Sequence, residues 1–168
     1  PDAGLTDFMI CNLSSNQANP KVAYGLAQDE FLVVWWNYAT GVPNSISGRR
    51  VFADGSGFPG FVFTISSGFS SPAVAYNLAR NEYLVTWEVF KASFDIDGLR
   101  LTGAGIALGG EFTIAGGPLD ERKPAVAACN LADQYLVTWE SLVNPPNPNY
   151  DIIGRYINGD GSLRGDRV

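Results

Sequence analysis

Pro20-Lys21-Val22-Ala23-Tyr24 returns as Pro72-Ala73-Val74-Ala75-Tyr76 and again as Pro124-Ala125-Val126-Ala127-Ala128, each time after a step of 52 residues. Phe31-Leu32-Val33-Val34-Trp35, Tyr83-Leu84-Val85-Thr86-Trp87 and Tyr135-Leu136-Val137-Thr138-Trp139 keep the same step. Self-similarity at a fixed period of this length marks a repeat architecture, each copy being one supersecondary unit stacked on its neighbours. After a segment of variable length each copy continues, as Ile46-Ser47-Gly48-Arg49-Arg50-Val51, Ile96-Asp97-Gly98-Leu99-Arg100-Leu101 and Ile152-Ile153-Gly154-Arg155-Tyr156-Ile157. Asp54-Gly55, Ala104-Gly105 and Asp160-Gly161 then supply turns. Phe63-Thr64-Ile65 and Phe112-Thr113-Ile114 form a fourth block in the first two copies.

Every block is short, rich in β-branched and aromatic residues, and bounded by Gly, Pro, Asn or Ser, which is the signature of strands. The chain reads as all-β, one repeat domain over 1–168 with three four-stranded antiparallel units, strands A to D. Residues 1–19 hold an orphan fourth strand and linker, 20–71 the first repeat, 72–123 the second, and 124–168 an incomplete third. The third copy reaches Gly165-Asp166-Arg167-Val168 where its fourth strand is due, while Asp7-Phe8-Met9-Ile10 matches the Phe-Thr-Ile block. Phe8, Met9 and Ile10 are therefore expected to be an assembly strand that completes a third unit, donated by a second molecule, because an uncovered edge invites pairing.

The pattern Pro-x-Val-Ala-Tyr-Asn, Tyr-Leu-Val-x-Trp-Glu, Asp-Ile-x-Gly-x-Arg, Asp-Gly and Phe-Thr-Ile, spread over Leu5 to Val168, resembles β-propeller blades. More narrowly it resembles the tandem repeats of large secreted and cell-surface bacterial proteins. Ser45, Tyr156 and Ala128-Cys129 depart from it. The resemblance implies propeller-like blades and an extracellular or cell-surface location. Rings take about four to eight blades, so three are expected to associate with a second copy, as a closed two-fold dimer or an open-ended array. A β-trefoil is the alternative with three four-stranded repeats.

Composition narrows the partners. Charged residues are 17% of the 168, the net charge is −6, and no basic cluster offsets it, which argues against nucleic acid. No apolar run reaches the ~18 residues of a membrane span, and Pro1 follows no basic leader, so a mature protein or a processed fragment of a longer one, without membrane insertion, is expected. Cys11 and Cys129 lie far apart and outside any CxxC spacing. They read as two buried free thiols, or as one disulfide.

The chain has no histidine, which removes Ser-His and Cys-His nucleophiles. Glu88 with Asp95 and Glu140 with Asp151 flank the loop between strands B and C and could form the carboxylate pair of a glycosidase. Pairing with Arg100 or Arg155, or capping of turns, is the plainer role. Asp95-Ile96-Asp97-Gly98 and Asn158-Gly159-Asp160-Gly161 carry oxygen ligands but lack the spacing of a calcium loop, so no metal or cofactor is expected. Trp35, Trp87 and Trp139 share one repeated position and read as core. Trp36, Tyr38, Phe90 and Tyr150 are not repeated and fall in or beside the B–C loops, Asn37 to Ser45, Glu88 to Phe94 and Glu140 to Tyr150. Aromatic faces there suit sugar rings or a protein hot spot. The expectation is a non-catalytic extracellular recognition or adhesion module, binding a glycan or cell-surface protein through those loops. The alternative is a structural building block of a cell-surface layer or filament, assembled by strand complementation.

Overall fold

The computed structural model describes residues 7–67, 70–143 and 149–165. The first blade is β1 (Asn16–Gly25), β2 (Glu30–Ala39), β3 (Val42–Phe52) and β4 (Phe63–Ser66). The second is β5 (Ser70–Asn77), β6 (Glu82–Phe90), β7 (Phe94–Thr102) and β8 (Phe112–Ala115). The third is β9 (Glu121–Cys129), β10 (Gln134–Val143), β11 (Asn149–Asn158) and β12 (Leu163–Arg164). Each blade is a separate antiparallel sheet whose strands lie in chain order. Three separate meanders are propeller-like blades and exclude the trefoil.

The tight β1–β2, β5–β6 and β9–β10 turns repeat one chemistry. Asp29, Asn81 and Asp133 occupy left-handed backbone at φ 53, 54 and 48°, a conformation that short polar side chains tolerate better than others. In two blades the tyrosine of the inner strand reaches its own turn, with Tyr24 Oη donating to Asp29 Oδ1 at 2.5 Å and Tyr76 Oη to Asn81 Oδ1 at 2.8 Å. In the third blade Ala128 stands at that place.

Side chains alternate across each sheet, and the repeat assigns every blade two unlike faces. One presents a Tyr/Phe, Val and Trp ridge from its second strand; the other presents Leu, a small or β-branched residue, and Ile. The Leu/Ile face of blade 1 (Leu32, Val34, Ile46, with Ile65) packs on the ridge Tyr83, Val85 and Trp87 of blade 2. The same face of blade 2 (Leu84, Ile96, with Ile114) packs on Tyr135, Val137 and Trp139 of blade 3. Trp35, Trp87 and Trp139 are 3%, 0% and 1% exposed, so the repeated tryptophans are core residues.

Two details differ from the sequence reading. The B–C connections are much shorter than expected, because β2 runs to Ala39 and β3 starts at Val42, β6 and β7 leave only Lys91–Ser93, and β10 and β11 reach Val143 and Asn149. The Asn144–Pro148 stretch lies outside the described residues. Backbone pairing carries these hairpins past the point where the apolar alternation stops. The cysteines are both free, but Cys129 is exposed and Cys11 half-buried, because the faces that hold them lack a covering blade.

Phe8–Ile10 pairs in no ladder among the described residues. It lies on the ridge face of blade 1, with Ile10 and Cys11 packed against Val33, Trp35 and Val51, and Phe8 tilted on Phe58 at 6.1 Å.

Candidate functional site

The inner strands β1, β5 and β9 stand side by side, each interrupted by a bulge at the same repeat position. Pairing slips between Ala18 and Lys21, between Ser70 and Ala73, and between Arg122 and Ala125. The residues at the slip are Asn19, Ser71 and Lys123, all left-handed at φ 53, 51 and 51°, and each precedes a proline, Pro20, Pro72 or Pro124. Left-handed backbone on a non-glycine residue costs on the order of 1–3 kcal/mol and collects at binding sites. Asn19, Lys21, Ser71, Pro72, Lys123 and Pro124 line a cleft of 450 Å³ at the inner strands, the side of propeller blades that faces the axis.

Polar contacts hold the third bulge in place. Glu88, buried between blades 2 and 3, accepts from Lys123 N–H at 2.6 Å and from Ser70 Oγ at 2.7 Å. Lys123 Nζ meets Glu140 at 3.1 Å, with the Glu140 side chain 30% exposed and that of Lys123 66%. The ammonium is therefore fixed at the cleft edge and open to solvent. Lys21 is exposed and has no ion-pair partner among the described residues. The cleft thus gathers two lysines, an amide and a hydroxyl in a chain whose net charge is −6.

The carboxylate pairs proposed from spacing do not form. Glu88 lies opposite Ile96 and Asp95 opposite Val89, so the two carboxylates project from opposite faces of one sheet. Glu140, opposite Ile152, and Asp151, opposite Ser141, are divided in the same way. The expected arginine partners differ too: Arg100 binds Glu82 at 2.7 Å, and Arg155 donates to the Ile114 carbonyl at 2.6 Å. Asp95 and Asp97 share Lys91 Nζ at 3.5 and 2.9 Å, and Thr113 Oγ1 accepts from the same ammonium at 2.8 Å. Burial works to lower the Lys91 pKa, but the Asp97 hydrogen bond and the charges of Asp97 and Asp95 outweigh it and leave it raised. Asp160 Oδ1 accepts from Ser162 N–H at 2.9 Å, a turn in which a hydrogen bond from its own neighbour occupies that oxygen.

The aromatic candidates are dispersed, one hairpin to each blade. Trp36 is half-buried against the blade 1–2 core and stacks on exposed Tyr38 at 4.3 Å. Phe90 is 49% exposed and meets Phe94 edge-on at 5.2 Å, and Tyr150 is 47% exposed opposite Leu142. They sit on strand ends, and among the described residues Trp36 and Tyr38 are the pair that stacks. The cleft residues Asn19, Ser71 and Lys123 were missed because their side chains differ. The signal available was the shared step of 52 and the proline that follows each.

No protein-family model and no curated protein sequence matches the chain. Solved structures do share its fold. A GH43 endo-arabinanase from Bacillus licheniformis superposes with a TM-score of 0.56 at 15% identity, over 90% of this chain and 58% of that one. An α-L-arabinofuranosidase from Lactobacillus brevis gives 0.61 at 10% identity, over 92% and 57%. An N-acetylgalactosamine deacetylase from F. plautii, in complex with blood group B trisaccharide, gives 0.63 at 8% identity, over 90% and 51%. The chain spans a little over half the length of each.

At these identities the likeness establishes propeller-like blades. It also overturns the expectation of a non-catalytic recognition or adhesion module, along with its surface-layer alternative and the reading that the chain is no enzyme. Those rested on the missing histidine and on the plainer role of the carboxylates in arginine pairs or turn caps, whereas the three proteins just described share this fold and are named as enzymes of sugars. Lack of histidine removes one kind of nucleophile and leaves carboxylate chemistry on sugars untouched.

Proposed function

We propose that this chain acts on carbohydrate as an enzyme, holding a glycan over the axial cleft. The observation that carries the reading is the convergence of Asn19, Ser71 and Lys123, one from each inner strand, in strained backbone around one 450 Å³ cleft. Sugars present hydroxyls as both donors and acceptors. The Asn19 amide and Ser71 hydroxyl serve either sense, and the Lys21 and Lys123 ammonium groups donate to hydroxyls or to an acidic substituent. Glu140 is a positioning residue: it orients the Lys123 ammonium at the cleft edge. With polymeric glycans as substrate, action outside the cell or at its surface is part of the proposal.

The test is hydrolysis of a polysaccharide panel, with arabinan and N-acetylgalactosamine-bearing glycans included, followed by release of reducing ends or acetate. The wild type is expected to turn over at least one substrate. Lys123→Gln is expected to lower that rate at least about tenfold, equivalent to a lost charge-assisted contact, with an unchanged melting temperature. Turnover of nothing in the panel, or turnover indifferent to Lys123→Gln, would contradict the reading.

A further inference from the structure

The two outward faces of the molecule are the two halves of an interface that the chain already makes twice. Blade 3 presents Leu136 and Ile152 at the repeat positions of Leu84 and Ile96. The latter are 0% exposed under the next blade, whereas Leu136 is 37% and Ile152 75% exposed. Cys129 is likewise exposed where its counterpart Asn77 is fully buried. At the other end, blade 1 presents the ridge Phe31, Val33 and Trp35, and a 390 Å³ apolar groove runs between this ridge and Phe8 and Ile10.

Phe8–Ile10 stands in that groove where a fourth strand stands in the internal interfaces. Ile114 of β8 joins the blade 3 ridge core and its carbonyl accepts from Arg155 at 2.6 Å. Ile10 joins the blade 1 ridge core and its carbonyl accepts at the same 2.6 Å from Arg49, the repeat counterpart of Arg155. The segment therefore occupies, relative to blade 1, the place that the fourth strand of a preceding blade would occupy. Over its described residues, blade 3 offers the matching place. Its β12 pairs with Tyr156 and Ile157, the register held in blade 2 by the single Leu101–Ala107 bridge. The positions that β8 covers in blade 2, Ile96 to Gly98, correspond to Ile152–Gly154, which have no such ladder partner among the described residues.

We propose that a second copy of this chain covers the Leu136/Ile152 face of blade 3 with its blade 1 ridge, its Phe8–Ile10 segment adding to β11 alongside Ile152–Gly154. The interface continues the two established ones in residue type and in geometry. Made reciprocally, it closes a two-fold dimer with no open blade face, which is how cyclic β assemblies remove their edges. It also places two sets of inner strands around one axis.

The test is mass in solution by sedimentation across the micromolar range. The wild type is expected at twice the 18.0 kDa chain mass, and Ile152→Asp, at a surface position of the single chain, is expected as a folded monomer with an unchanged far-ultraviolet spectrum. A second readout is independent of mass. In a Cys11→Ser background, maleimide is expected to label Cys129 at least about tenfold more slowly than in the same background carrying Ile152→Asp, because docking encloses the thiol. A wild-type monomer at every concentration, open-ended high-mass species, or equal labelling rates would each overturn the proposal. None of these outcomes bears on turnover at the cleft.

Discussion

At the scale of single residues, the repeat separates what packs from what varies. Trp87 is 0% exposed between blades 1 and 2, and its replacement by Ala is expected to cost ~3–5 kcal/mol, the range for a large buried aromatic. Trp36 follows Trp35 in sequence and points to the opposite face, where it is half-buried and stacked on Tyr38. Trp36→Ala is therefore expected to cost about 1–3 kcal/mol, more than an exposed loop residue would. Urea unfolding of both variants checks the ranking, and equal losses would contradict it. The strand positions and the buried tryptophans were legible because they recur at one step. The division of Glu88 from Asp95 was not. Closeness along a hairpin says nothing of face until the register, Glu88 opposite Ile96, is known.

At the scale of elements, the informative feature is the bulge in each inner strand. Asn, Ser and Lys share little chemistry, and only the first is a common left-handed residue, so no residue type announces the bulge. Position does: each stands directly before the proline that opens the repeat. Ser71 holds a φ of 51°, so Ser71→Gly is expected to raise stability by up to about 1 kcal/mol through release of backbone strain, less the entropy that glycine adds to the unfolded chain. A melting temperature that falls would show that the Ser71 side chain, and not the bulge geometry, holds that segment. The hairpins taught a related lesson. Asn37-Tyr38-Ala39 and Val42-Pro43-Asn44-Ser45 lack strand alternation, yet they pair, because β2 and β3 are already in register below them. Tyr38, Phe90 and Tyr150 consequently ride on hairpin arms, not on loops that could bring them together.

At the scale of the molecule, three like blades stack by one rule, a ridge of Tyr or Phe, Val and Trp against Leu and Ile, and the inner strands that this stacking draws together shape the axial cleft. The fold class was legible from the period alone, while the cleft was not, because it exists only where three bulges from distant segments meet. The account's central claim is that a glycan is held there. Amide chemical shifts followed by two-dimensional NMR during titration with an oligosaccharide from the panel measure this directly. The account predicts saturable shifts concentrated at Asn19, Lys21, Ser71 and Lys123, and their loss in Lys123→Gln. Shifts confined to the hairpin arms around Tyr38, Phe90 and Tyr150, with the inner strands unmoved, would contradict it.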